Sequence, residues 1–302
     1  MDIDLHIHTR SCSDGAMTLE EVFAEAVRKG LRVMSITDHD SIDCQDEARA
    51  LAEELDIGYI VGLELNVSFS RPDYRNGKPV SLDFLAYDYD THNPRLVQKL
   101  QALREHRQFR AERILENLNR EFREEGLPLF TPQDMEAIEE SVDGAFGRPH
   151  IANYMVKKNV VSCRQEAFDR YLVKCNEPKM PVSLSEASEL IHGAGGKMVL
   201  AHGNDPNGTS LVSLTTSVDE QLTIVRESML EYLDGIECWH SRHDNETTES
   251  YIAFARAEGL LITGGSDCHQ QPVLMGSLDI PAEVVEPFGF RLKEPLRRDG
   301  TR

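Results

Sequence analysis

The sequence has no CxxC pair, no apolar run of membrane-spanning length, no internal repeat, and too little positive charge to balance its negative charge. Each shortage removes a class of function. Its 302 residues carry 32 Lys and Arg against 52 Asp and Glu, a formal net charge of −20. Such a surface repels the backbone of long nucleic acid and has no counterion-release drive for binding it. The six cysteines, Cys12, Cys44, Cys163, Cys175, Cys238 and Cys268, form no regular framework. Free thiols in a reducing, cytoplasmic setting are therefore expected. Asp2, Asp4 and His6 stand where a signal peptide needs basic and apolar residues, so neither export nor a membrane is expected. The glycosylation-like triplets at Asn66, Asn207 and Asn245 are then chance matches. The stretch Gly193-Ala194-Gly195-Gly196-Lys197 lacks P-loop spacing and precedes a strand, which makes it a helix end and not a phosphate loop.

What the chain does have is a βα rhythm with polar residues set into its strands. Asp4-Leu5-His6-Ile7-His8 reads as a first strand whose alternation puts both imidazoles on one face and Ile3, Leu5 and Ile7 into packing. That is metal-ligand spacing, although a buried HxH can equally be a hydrogen-bonded core pair. Thr18 and Glu21 form a capping box that opens a helix ending at Lys29-Gly30. A strand over 32–37 delivers Asp38-His39-Asp40, a third from Tyr59 carries Glu64, and a fourth over 80–89 carries Asp83. Residues 93–125 then read as one long charged helix, followed by shorter helical pieces at 148–157 and 165–173. No strand is evident until Met198.

The β/α rhythm resumes with strands ending at His202, at Trp239-His240 and at Thr263 before Gly264-Gly265-Ser266-Asp267-Cys268-His269. We expect an α/β fold, a seven-stranded parallel (β/α) barrel or a doubly wound sheet. Residues 1–92 and 182–302 would form it, and 93–181 would be a helical insertion. Beyond Pro281 the sequence reads as an irregular, functionally silent tail.

Seven strand candidates with polar residues in or just after them place those residues at one rim if the strands are parallel. Asp267 and His269 share a face, with Cys268 turned away. Gly264 and Gly265 would let the backbone approach a bound ion or phosphate. Five imidazoles (His6, His8, His39, His202, His269) with Asp14, Glu64 and Asp267 suffice for two or three divalent cations, where a structural zinc needs four donors. Cations in an acidic shell would attract a phosphate and lower the pKa of a bridging water, whose hydroxide would attack phosphorus. His202 or His243 could protonate the leaving oxygen, so His202, His243 and Asp267 are the candidate catalytic residues. His92, His106 and His192 read as solvated or capping, and Trp239, Tyr232 and Tyr251 as core.

The runs DLHIHTRSCSDG (4–15), ITDHD (36–40), VGLELNV (61–67), LAH (200–202) and GGSDCH (264–269) together resemble the PHP (polymerase and histidinol phosphatase) family of metal-dependent phosphoesterases. The resemblance implies a distorted (β/α)7 barrel with a three-metal site. Its ligands would fall on His6, His8, Asp14, His39, Glu64, Asp83, His202, Asp267 and His269. With GRPHIA at 147–152, the insertion looks like that of the subgroup containing nucleotide bisphosphate phosphatases, short-oligonucleotide 5'-exonucleases and cyclic phosphate dihydrolases. Arg148 and His150 would then hold substrate phosphate, with Lys179, Arg242 and His243 as further candidates.

Two departures stand out. Asp83 occupies a position where the family usually has histidine, favouring Mn, Mg or Fe over Zn there. Gly203 follows His202 where the family usually has proline. The implied substrate is a small phosphorylated metabolite, an AMP-like nucleotide, a 3',5'-bisphosphate or a cyclic ribose phosphate. Histidinol-phosphatase-like or short-oligonucleotide 5'-exonuclease activity, a non-catalytic nucleotide-sensing module, and amide or lactone hydrolysis are the alternatives.

Overall fold

The structure is a computed structural model in which residues 2–139, 148–269 and 273–292 are described. Strand β1 (Ile3–Ile7) is buried along its whole length, as a strand covered on both faces must be. It pairs in parallel with β2 (Val33–Ile36), which pairs in parallel with the two-residue β3 (Gly58–Tyr59). A second sheet runs in the order β4 (Gly62–Phe69), β5 (Val80–Tyr87), β6 (Lys197–Leu200), β7 (Gly235–His240), β8 (Leu261–Gly265). Single parallel bridges, Ile7 to Cys268 and His39 to Glu64, link the two sheets.

The expectation of parallel strands throughout is corrected at β5, which is antiparallel to both β4 and β6, while β6, β7 and β8 are mutually parallel. The reason is chain length. Only residues 70–79 join β4 to β5, and a parallel return needs a crossover of about a dozen or more residues. The expected third strand is also split, its first residues pairing with β2 as β3 and the remainder forming β4.

The helices start and stop where local chemistry dictates. α1 (Leu19–Lys29) opens on the Thr18/Glu21 capping box and closes on Gly30 at φ +74°. α2 (Gln45–Glu54) follows the His39 loop. α3 (Pro94–Glu125) begins with Asn93 capping and Pro94 in its first turn, and it ends at Gly126. Its first half packs Leu96, Leu100 and Leu103 onto the β4–β6 side of the molecule. Its second half contributes Ile114, Leu118 and Phe122 to a separate core with α4 (Pro132–Glu139), α5 (Arg148–Lys157) and α6 (Arg164–Ala167), whose chain continues as a π-turn through Leu172. α7 (Leu184–Gly193), α8 (Val218–Ser228) and α9 (Asn245–Glu258) cover the second sheet.

Two further expectations are corrected. The segment after Pro281 is not irregular throughout, because Ala282–Phe288 forms a 3-10 helix whose Val284 and Val285 share a core with Ile3, Leu5, Val33 and Tyr87. Nor are all six cysteines free. Cys12 and Cys44, far apart in sequence, sit on adjacent loops with their Cα atoms 6.2 Å apart and form a disulfide. Cys163, Cys175, Cys238 and Cys268 are free thiols. Among the described residues no helix is long and apolar enough to cross a membrane.

Candidate metal centre

Alternation along β1 sends His6 and His8 to one side, where their Nε2 atoms lie 3.1 Å apart in a fully buried setting. Glu64 on β4 and Asp267 just after β8 complete a four-donor group. Glu64 Oε2 is 3.3 Å from His6 Nε2 and 3.2 Å from His8 Nε2, and Asp267 Oδ1 is 3.4 and 3.3 Å from the same atoms. Tetrahedral N and O donors at about 2.0–2.2 Å from a cation have mutual edges of roughly 3.3–3.6 Å. The observed edges come close to that spacing.

Two more groups adjoin the first. Glu64 turns its other oxygen to His202, whose Nε2–H donates to Oε1 at 2.9 Å, and Asp83 Oδ2 stands 3.9 Å from the same nitrogen. On the other side His8, Asp14, His39 and His269 converge. Asp14 Oδ1 is 3.2 Å from His269 Nε2, 3.8 Å from His39 Nε2 and 4.0 Å from His8 Nδ1. The structure thus brings all nine sequence-derived donors into three contiguous groups that share Glu64 and His8. Asp267 and His202 reach the centre from left-handed backbone, at φ +54° and +25°, a strained conformation for non-glycine residues that is typical of side chains aimed at a site.

The donor set fits divalent cations on the structure's own terms. His8 Nδ1, His202 Nδ1 and Asp267 Oδ1 are buried without a hydrogen-bond partner, which ordinary packing avoids. The mixture of imidazole and carboxylate without sulfur suits Zn, Mn, Fe or Mg. Burial disfavours every charge here, yet the ions offset one another. Against desolvation, the Glu64 hydrogen bond lifts His202 to about 9, and Asp14 and Asp267 lift His269 to about 11. Burial is likewise outweighed at Glu64 by His39 and His6, and at Asp267 by His6 and His240, leaving both carboxyls well below their usual range. Asp83 goes the other way, pushed up to about 6 by burial and by Glu64. Protons thus hold together a cluster that cations would hold instead.

Sequence reasoning missed the residues that aim these donors. Glu237 on β7 is fully buried, accepting from His6 Nδ1–H at 2.9 Å and from the His202 backbone N–H at 2.7 Å. A carboxylate only accepts, so Nδ1 of His6 keeps its proton, and Nε2, which faces the donor group, is the nitrogen that would give up its proton to a cation. His240 accepts the Arg242 backbone N–H on Nδ1 and donates from Nε2 to Asp267 Oδ2, each at 3.3 Å. Both were legible as polar residues in and at the end of a buried strand, the same signal that drew attention to Glu64 and His202.

The phosphate-binding candidates separate into two sets. Arg242 donates to the buried Asp205 at 2.6 Å. His243 donates from Nδ1 to the Cys238 carbonyl and accepts the Asn204 N–H on Nε2. Burial and the neighbouring His240 lower it to about 4, so it is neutral with both nitrogens engaged by backbone. Lys179 instead donates to Asn66, which donates to Asp83. Desolvation lowers the Lys179 pKa, Asp83 and Asp40 oppose this, and Arg110 and Arg107 reinforce it. Arg110 in turn is lowered by burial and by the charge of Arg148, at the start of α5. Asp83 and Arg110 thus act on Lys179, and Arg148 on Arg110, through their charges, while Arg110 donates to the Glu177 carbonyl and to Asn176, and Arg148 donates to the Leu172 carbonyl at 3.3 Å and lies over the Phe168 ring. His150 is half-buried in the first turn of the same helix, and Gly147 of the GRPHIA run lies outside the described residues.

Gly264 and Gly265 allow close packing of the chain on itself. A Cβ on Gly265 would lie 2.3 Å from the His6 backbone nitrogen, and one on Gly264 would meet Trp239.

Comparison with known proteins adds relatives to this geometry. The family model described as PHP domain matches residues 4–171. A 3',5'-nucleoside bisphosphate phosphatase of Chromobacterium violaceum is 27% identical over 288 residues, covering 89% of this chain and 87% of its own. A 5'-3' exoribonuclease of Haemophilus influenzae is 30% identical over 206 residues, 66% of this chain and 68% of that protein. Among solved structures, a Bifidobacterium adolescentis protein assigned as a metal-dependent phosphoesterase aligns with a TM-score of 0.72 at 31% identity, covering 95% of each chain.

Proposed function

The chain belongs to the PHP domain family, and from that premise we propose that it is a metal-dependent phosphoesterase acting on a small nucleotide-like phosphate. The reading is supported by one observation, the Glu64-centred donor groups with the Lys179 ammonium linked to Asp83 through Asn66. His6, His8, Glu64 and Asp267 would hold one cation, Glu64, Asp83 and His202 a second, and Asp14, His39 and His269 a third. Bound there, Mn, Fe, Zn or Mg would supply Lewis acidity and offset the carboxylate charge that otherwise repels phosphate.

The chain's own residues do the rest. Glu237 and His240 fix the tautomer of His6 and the orientation of Asp267. Lys179 and Arg148 receive phosphate oxygens, Arg148 by its planar fork. His243, neutral and held by backbone at both nitrogens, is ill suited to protonating a leaving group, and it serves to buttress His240.

We further propose that the two inter-sheet bridges close a distorted seven-stranded barrel, that residues 93–181 are inserted over its mouth, and that the protein works in the cytoplasm. A nucleoside 3',5'-bisphosphate is the preferred substrate, in line with the Chromobacterium relative. The Haemophilus relative favours a second reading, 5'-end trimming of very short oligonucleotides; the net charge of −20 opposes long ones. Hydrolysis of nucleoside 3',5'-bisphosphate, AMP, cyclic ribose phosphate, histidinol phosphate and dinucleotides, read as phosphate release from the monoesters and as monoester or mononucleotide formation from the cyclic phosphate and dinucleotides, with added Mn and with chelator, tests this. Turnover of the bisphosphate with Mn is expected. Absence of chelator-sensitive hydrolysis across the panel refutes it.

A further inference from the structure

The Cys12–Cys44 disulfide joins the two loops that carry Asp14 and His39. Cys12 lies two residues before Asp14 in the loop after β1, and Cys44 five residues after His39, at the start of α2. Non-covalent ties between the same loops are few and polar. The Ser13 backbone segment approaches through the His39 N–H, which donates to Ser13 Oγ at 2.9 Å, and Thr9 donates its N–H and hydroxyl to Asp38 at 2.7 Å each. Asp14 Oδ1 meets His269 Nε2 at 3.2 Å but stands 3.8 Å from His39 and 4.0 Å from His8. By contrast His6 and Glu64 project from strands, His39 is bridged to Glu64, and Asp267 precedes Cys268, which is bridged to Ile7, whereas Asp14 lies in the turn that follows Cys12. The sulfurs also differ in access, since Cys12 is partly exposed whereas Cys44 is only 5% exposed.

We propose that Cys12 and Cys44 form a reversible thiol–disulfide site that sets how firmly the Asp14, His39 and His269 group holds its cation. The inference rests on reading that group as a metal site. In the reducing direction a low-molecular-weight thiol of the glutathione class attacks the accessible Cys12 sulfur. The Cys12–Cys44 bond breaks, the Cys44 sulfur leaves with the electron pair and takes a proton, and a second thiol releases Cys12 from the mixed disulfide. Two thiols of the protein are formed as two small thiols become one small disulfide. Oxidation is the reverse exchange, the small disulfide accepting the two electrons. With the bridge closed the two loops move as one; with it open, the hydrogen bonds of Ser13 to His39 and of Thr9 to Asp38 remain between them, and Asp14 keeps its contact with His269.

The test uses the full-length protein loaded with Mn or Zn and equilibrated in glutathione buffers of graded ratio. Alkylation followed by mass spectrometry reads Cys12 and Cys44, while elemental analysis against a competing chelator reads the metals. A single two-electron transition confined to Cys12 and Cys44 is expected, and the reduced form should release one metal equivalent about tenfold faster than the bridged form, the others being retained. The C12S/C44S variant should match the reduced wild type, and the wild-type comparison stands alone if that variant folds poorly. Equal release from both forms, or no bridge in oxidising buffer, overturns the proposal while leaving the metal centre intact. A protein that binds no metal in either form overturns the reading of the centre itself.

Discussion

Replacing Glu237 by glutamine isolates the role of a residue that touches no cation. The native carboxylate accepts from His6 Nδ1–H at 2.9 Å and from the His202 backbone N–H at 2.7 Å. An amide of the same shape has one accepting oxygen and one donating nitrogen, so it can satisfy only one of these donors. If the oxygen keeps His202, the NH2 group faces His6 Nδ1, and the imidazole must move its proton to Nε2. That nitrogen points into the four-donor group, and protonated it cannot ligate. If the oxygen keeps His6, a buried backbone N–H is left without an acceptor, which costs about 1–3 kcal/mol. Either outcome removes a fixed negative charge beside His6. Loss of such outer partners weakens metal binding by about 10–100-fold, or roughly 1.4–2.7 kcal/mol. Competition with a chromophoric chelator at fixed pH should show one site weakened by that factor, with circular dichroism unchanged. A well-folded Glu237→Gln protein whose affinities all lie within about twofold of wild type would refute the claim that this carboxylate sets the His6 tautomer.

Glu64→Gln removes the carboxylate shared by two donor groups, so metal content should fall by up to two equivalents and phosphoesterase activity by at least about 100-fold; undiminished metal by elemental analysis contradicts the shared role. Lys179→Ala should raise KM for phosphate substrates by roughly 10–100-fold, the worth of a charge-assisted hydrogen bond, with metal content unaltered, as steady-state kinetics will read. His243 is held near 4 by burial and His240, below its unfolded value of about 6.5. The unfolded chain therefore binds its proton first as pH falls. Stability is present in full above pH 6.5 and is lost progressively down to about pH 4, by at most about 3 kcal/mol. Urea unfolding of wild type and His243→Gln across that window should show a shallower acid loss in the variant, and parallel curves would exclude this origin.

Much of the centre was legible because its signal is local. HxH in β1, DHD after β2 and SDCH after β8 combine a buried apolar strand with polar residues at fixed positions, and alternation alone predicts which side chains share a face. Glu237 carries the same signal as Glu64, a lone carboxylate in an apolar strand, but its role is set by a hydrogen-bond donor, His6, that lies 231 positions away. The Cys12–Cys44 bridge was hidden for the same reason. Spacing of 32 residues matches no motif, and only the folding of β1 beside β2 makes their loops neighbours. The 3-10 helix over Ala282–Phe288 carries Pro287 and too few residues for a helical stripe, so its burial against Ile3 and Tyr87 could come only from tertiary contact.

The inverted β5 shows why Asp83 belongs to the rim although it sits in the middle of a strand. A parallel strand offers rim residues past its last turn, but β5 enters from the rim and runs away from it. Its fourth residue is thereby level with Asn66 on β4, and its carbonyl accepts the N–H of Ala201, one residue before His202. Asp83 is also matched to its surroundings. Asn66 donates to it at 2.6 Å, Lys179 donates to Asn66, and the charge of Asp83 stabilises that of Lys179. An imidazole in its place would accept no more than one hydrogen bond and carry no negative charge, leaving Lys179 to face Arg110 and Arg107 with only Asp40 in opposition. The carboxylate at position 83 is thus coupled to its neighbours: its charge in the donor group offsets that of Lys179, which Arg110 and Arg107 oppose.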